Sequence, residues 1–124
     1  MPKGEALGEF EHLILLAVLR LKGDAYGMRV RREIEERTGR EVTIGAVYAT
    51  LDRLAEKGMV RSALSDPTPE RGGRAKRCYR LEALGERALQ ESAVAAKRIW
   101  DVITEVWGKE RAKEWGKRWG KEAG

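Results

Sequence analysis

A mainly α-helical domain that carries one β-hairpin and continues into a long C-terminal helix is predicted by three observations. Apolar residues recur at spacings of three and four in four separate stretches. The period switches to alternation once, on either side of a Pro- and Gly-rich segment between residues 59 and 81. The chain has 124 residues, enough for one domain with an appended element.

The elements follow in order. Leu7, Phe10, Leu13, Ile14, Ala17, Val18 and Leu21 line one wide face of a first helix over residues 7–22, closed by Gly23. Asp24 is a good N-cap for a second helix, from Ala25 to Thr38. Tyr26, Val30 and Ile34 face inward there, and Gly39 is the stop. Thr43 caps a third helix whose buried stripe is Ile44, Val47, Tyr48, Leu51, Leu54 and Ala55, with Gly58 ending it in the left-handed conformation. "MVRSALSD" then reads as a strand, "PTPERGGR" as a loop and "AKRCYRL" as the returning strand. From Glu82 a helix runs unbroken to about Trp107, with stripes at Leu84, Ala88, Ala95, Ile99, Val102 and Val106, and at Ala96, Trp100, Ile103 and Trp107.

Helix, helix, helix, hairpin and long helix is the order of a winged helix-turn-helix joined to a C-terminal rod. The division expected is residues 1–81 for the winged unit and 82–124 for a dimerisation helix with a Trp-rich basic tail.

The charge is unevenly spread. The net charge is +5. Residues 61–80 hold Arg61, Arg71, Arg74, Lys76, Arg77 and Arg80 against Asp66 and Glu70, and residues 109–124 hold six bases against three acids. An anionic partner is the expectation, met chiefly at the hairpin.

The third helix has a bare leading end. Gly45, Ala46, Ala49 and Thr50 are small, and the first charges come at Asp52 and Arg53. A major groove is about 12 Å wide, and a helix with its side chains is about as broad. Small residues let such a helix approach bases and phosphates. Thr43 and Thr50 can donate hydrogen bonds, the methyls of Ala46 and Ala49 can pack on thymine methyls, and Arg53 can reach a phosphate or guanine. Small residues also mark close helix–helix packing, and the stripe taken alone favours that reading. The basic hairpin directly downstream favours the duplex: Gly72 and Gly73 permit close approach, while Arg71, Arg74, Lys76 and Arg77 supply cations.

Three segments, "AYGMRV" (25–30), "TIGAVYATLDRLAEKGMV" (43–60) and "GGRAKRCYRLEALGERAL" (72–89), resemble the PadR family of bacterial transcriptional regulators over roughly residues 7–90. Gly45, Tyr48, Leu51, Leu54 and Gly58 fall in register with the family's third-helix pattern. The chain departs from that pattern at Ala49, where Pro is frequent, at Cys78, where a second aromatic is common, and at Glu82, where Thr usually caps the last helix. The resemblance implies a homodimeric repressor on a palindromic DNA operator, with the third helix and wing on the duplex. It further implies that Tyr26 and Tyr48 touch phosphates and that Thr43, Gly45, Ala46, Ala49 and Thr50 face the groove.

The last helix is apolar on two adjacent stripes. One suffices for its own domain. The other, at Ala95, Ile99, Trp100, Val102, Ile103, Val106 and Trp107, needs a partner, and a second copy of the chain is the expected one. Two recognition helices then sit about 34 Å apart. Trp100, Trp107, Trp115 and Trp119 would share about a third of the circumference of one continuous helix. They are read first as interface packing and second as a flat pocket for a small planar aromatic ligand, with Trp100 as its centre. Certain multidrug-sensing PadR members resemble that arrangement. Glycines at 108, 116 and 120 leave the tail's fold open.

Other functions are disfavoured. One cysteine, Cys78, and one histidine, His12, build no disulfide framework and no all-Cys/His metal site. His12, on the polar side of the first helix beside Glu9 and Glu11, has no nucleophile in view. Redox sensing by Cys78 is weighed below an incidental thiol. No enzyme, cofactor, signal peptide or membrane span is expected, and the location expected is cytoplasmic. The alternative to operator binding is a winged-helix protein–protein assembly module.

Overall fold

The computed structural model describes residues 7–64 and 76–123. Five helices and three short strands follow in the order α1 (Glu9–Leu21), β1 (Ala25–Tyr26), α2 (Gly27–Thr38), α3 (Ile44–Glu56), β2 (Val60–Leu64), β3 (Arg77–Leu81), α4 (Ala83–Trp107) and α5 (Lys109–Ala123). The first helix, the third helix and the start of the long helix lie within two residues of their sequence-based bounds.

The core is one cluster. Ile14, Leu15, Ala17 and Val18 of α1 meet Val30 and Ile34 of α2, Val47, Leu51 and Leu54 of α3, and Met59, Val60 and Tyr79 around the sheet. Tyr79 is fully enclosed, and burial pushes its phenol above the usual tyrosine range, with the Asp52 carboxylate adding to the effect.

The strands pair antiparallel in the spatial order β1-β3-β2. In the hairpin Val60 lies opposite Leu81 and Leu64 opposite Arg77. The third strand, β1, corrects the sequence reading. Ala25 and Tyr26 do not open α2; they pair with Tyr79 and Cys78. Asp24 is therefore not the cap of α2, which begins at Gly27 after the extended Tyr26. Ladder hydrogen bonds to β3 and full burial of Ala25 outweigh local capping chemistry.

Gly39 ends α2 with a φ of 72°. Thr43 caps α3 as its side chain accepts from the Ala46 N–H at 3.1 Å. The turn between them is pinned by Glu35, whose Oε2 accepts from Val42 N–H at 3.2 Å. Helix α4 starts at Ala83 although Glu82 provides no side-chain cap. What holds that start is packing: Glu82 N–H donates to the Met59 carbonyl at 2.9 Å, and Gly85 is buried against it.

Beyond its first turns α4 leaves the body. His12 of α1 and Ser92 of α4 share a hydrogen bond, so the lone histidine ties the two together. Past that bond Val94, Ile99, Trp100, Val102, Val106 and Trp107 are exposed. The tryptophans do not share one helix. Gly108, at a φ of 87°, breaks the rod, because that backbone region strains any residue with a Cβ. Helix α5 turns back onto the end of α4. Trp115 meets Trp107 edge-on with centroids 4.8 Å apart, Arg111 lies over the Trp107 ring at 5.6 Å, and Ala112 is fully buried.

Candidate nucleic-acid interface

Helix α3 presents its leading end to solvent. Thr43, Gly45, Ala46 and Ala49 are all exposed, and a side chain added at Gly45 would meet nothing within 4 Å. Among the described residues the bare edge is thus free of internal packing.

One of its neighbours differs from the sequence reading. Thr50, expected at the groove, is only 3% exposed. It lies three residues after Val47 and four before Leu54, so all three share the inner face. Its hydroxyl accepts from the Arg53 guanidinium at 3.4 Å. Tyr48, on the buried stripe and also expected to touch phosphate with its ring packed and its hydroxyl at the surface, is 39% exposed. Its ring lies against Gly27 at the start of α2, where a Cβ would collide with it.

That contact gathers a cluster. Tyr26 precedes Gly27, and Lys76 at the base of the hairpin holds its ammonium over the Tyr26 ring at 4.5 Å. A cation over an aromatic face is held there by the ring quadrupole. Two tyrosines from different elements and one wing lysine therefore meet at the N-terminal end of α2. Arg77, also exposed, reaches across the ladder to the Ser62 hydroxyl at 3.4 Å. Arg71 and Arg74, with Gly72 and Gly73, lie outside the described residues.

Arg53 is held from behind. Its Nε donates to Glu11 Oε2 at 3.2 Å, and Lys57 donates to the same oxygen at 3.1 Å. The Gly8 N–H donates to Oε1 at 3.0 Å. Burial pushes the Glu11 carboxyl up, but these hydrogen bonds outweigh it and hold the group below the ordinary carboxylate value. Glu33 behaves alike: burial raises it, and Arg20 at 2.6 Å and Arg37 at 3.1 Å bring it down further. Sequence reasoning placed Glu11 on the polar side of α1. The missed signal is its spacing, since residues 11, 14, 15 and 18 form one stripe. An acid on a core stripe calls for a paired cation.

A depressed carboxylate stabilises the fold above its unfolded pKa, and that contribution is lost as pH falls through the folded value. Both glutamates act in this sense. The melting temperature should therefore drop from about pH 5 downward. Replacing Glu11 by Gln should lower it at neutral pH, and the gap to the parent protein should shrink on acidification. Thermal unfolding across a pH series checks both signs.

The dimer candidates divide. Ala95, Ile99, Trp100, Val102, Val106 and Trp107 are exposed on α4, and Ile103 is half-buried. Trp100 is 47% exposed, and a shallow hollow lies beside α4 at Gln90, Glu91, Val94, Ala95 and Arg98. Cys78 is a half-buried free thiol. Among the described residues no group of His, Cys, Asp and Glu could hold a metal ion, and no helix is long and apolar enough to cross a membrane.

A comparison with curated proteins returned no match. Solved structures do match. A PadR family transcription regulator from Clostridium difficile R20291 is 25% identical, with a TM-score of 0.67 over 82% of this chain and 100% of that one. The complex structure of hsRosR-S1 is 29% identical, with a TM-score of 0.59 over 86% and 94%. A PadR-like transcription factor from Bacteroides fragilis is 22% identical, with a TM-score of 0.65 over 78% and 88%, a likeness of fold alone. The model of the transcriptional regulator PadR-like family matches residues 15–91, from the middle of α1 into α4. That span holds the second half of α1, all of α2 and α3, the hairpin and the Tyr26–Lys76–Tyr48 cluster, and the family is one of transcription regulators rather than enzymes: this chain belongs to the PadR-like family.

Proposed function

We propose that the protein is a homodimeric repressor that reads a palindromic operator. Helix α3 enters the major groove by its Gly45, Ala46 and Ala49 edge. Thr43, Tyr26, Tyr48, Lys76 and Arg77 meet the flanking phosphates, and Arg71 and Arg74 extend the wing's cationic reach. The observation that carries this reading is the juxtaposition of an open small-residue helix end with an aromatic–lysine cluster from two other elements. The exposure of Gly45, Ala46 and Ala49 among the described residues supports this use over helix–helix packing, the competing account of small residues. The exposed apolar side of α4 supports a second copy as partner. Repression follows from occupancy, since a dimer seated on promoter DNA excludes other proteins from it.

The test is selection of bound duplexes from a random pool, followed by salt titration on the winner. A palindrome with half-sites about one turn apart is expected. Lys76→Glu with Arg77→Glu should weaken binding and flatten the dependence of log K on log salt by about 2, one unit per lost phosphate contact. A pool that yields no enriched sequence would leave the assembly-module alternative in place. Titrating the same complex with planar cationic dyes addresses the effector: release of DNA with quenching of tryptophan emission supports a ligand at Trp100, and unchanged emission removes it.

A further inference from the structure

The trailing half of α3 carries little free positive charge. Arg53 and Lys57 stand beside Asp52 and Glu56 on the helix itself, and the Glu11 carboxylate sits against both cations. Glu11 is not a surface group that a phosphate could brush aside. Its side chain is 10% exposed, and three donors from α3 and from the start of α1 fix both its oxygens. The Arg53 guanidinium is fixed at a second point by the Thr50 hydroxyl, itself buried. Drawing Arg53 out to a phosphate would exchange a partner it already has for another of the same charge. It would also strip a buried carboxylate of one of its cations, a loss that typically exceeds what an exposed ion pair returns.

We propose that Glu11 is a positioning residue that withholds Arg53 and Lys57 from the DNA. The inference rests on α3 being the duplex-facing helix, as read above. Its consequence is selectivity. Each cation that meets a phosphate adds affinity for every sequence alike, through counterion release. Two cations kept on Glu11 lower that indiscriminate term and leave base-edge contacts at the open end of α3 intact. The ratio of specific to non-specific binding rises accordingly. Arg53, which the sequence alone marks as a base or phosphate contact, becomes on this account a structural cation.

The experiment compares salt dependence on the selected operator and on a random duplex for three variants and the parent. Arg53→Ala in the otherwise native chain should leave the slope of log K against log salt unchanged on both duplexes. Glu11→Gln should steepen the slope by about 1 to 2 and tighten random-duplex binding, narrowing the gap between the two DNAs. Glu11→Gln with Arg53→Ala should give back about one unit of that gain. A slope that flattens by about 1 in Arg53→Ala, or one that is flat or unchanged in Glu11→Gln, overturns the proposal. The Arg53→Ala arm retains Glu11 and decides the matter even where Glu11→Gln is poorly folded. A parent protein that binds neither duplex sinks the DNA-facing reading of α3 itself; a parent that binds while Arg53→Ala flattens the slope sinks only the role given to Glu11.

Discussion

Ile99→Asp combined with Ile103→Asp should yield a folded monomer that no longer holds its operator tightly. Ile99 is 62% exposed in the single chain, and Val102 and Val106 nearby are exposed as well. In the dimer proposed above a second copy covers this strip, and each large side chain buried there contributes about 1.5–3 kcal/mol. Two aspartates on the strip would place charges in a desolvated contact with nothing to pair them. The fold should survive, because these positions lie beyond the His12–Ser92 bond and outside the core. Isoleucine and aspartate also differ little in helix propensity. Loss of the second half-site removes the intramolecular advantage of bivalency, roughly 100- to 10,000-fold in affinity. Light scattering should report half the parent's mass, circular dichroism an unchanged helix content, and gel shift the loss of the complex. A parent protein that is itself monomeric at micromolar concentration would refute the dimer.

Gly85→Ala should cost the fold heavily for a single methyl group. The added Cβ would collide with the Met59 carbonyl oxygen and lie 3.0 Å from Leu81 Cδ2. The carbonyl is backbone and already accepts from Glu82 N–H at 2.9 Å, so it cannot yield without breaking the bond that starts α4. Overpacking of this kind typically costs about 1–3 kcal/mol. At this chain length that is a fall of several degrees or more in melting temperature. Gly45→Ala is the control. It meets nothing within 4 Å and lies in the first turn of a helix, where alanine is the better helix former. Thermal unfolding should rank Gly45→Ala at or above the parent and Gly85→Ala well below it. Equal gains at both positions would mean that helix propensity, and not the close approach of α4 to Met59, sets the outcome.

The contrast between these glycines shows where sequence reasoning reaches. Gly39 and Gly58 are read as stops from their positions after apolar periodic runs, and the chain uses them so. Thr43 is read as a cap from its place before Ile44, and its side chain makes that bond. Gly45 and Gly85 look alike in sequence, since both sit near the start of a helix. Only the neighbour supplied by another element separates them: open solvent for one, the Met59 carbonyl for the other.

The same holds within the candidate interface. Periodicity places Tyr48 and Thr50 on the two borders of the α3 stripe, and a border residue can turn either way. The body of the domain decided both. Gly27 leaves room for the tyrosine ring on the outside, and the threonine lies enclosed on the inner face that also carries Val47 and Leu54. Strand β1 escaped notice because two residues carry no readable period, and the ladder that recruits them lies more than fifty residues downstream.

By itself the sequence determined the three-helix unit, the hairpin, the long apolar rod and the bare end of α3, because each rests on local spacing and on residues that start or stop a helix. Tertiary structure alone decided which cations are spoken for, which small residues are open, and that the tail folds back at Gly108. Those outcomes depend on contacts between segments far apart in the chain, and a carboxylate such as Glu11 declares its partners only when two helices close around it.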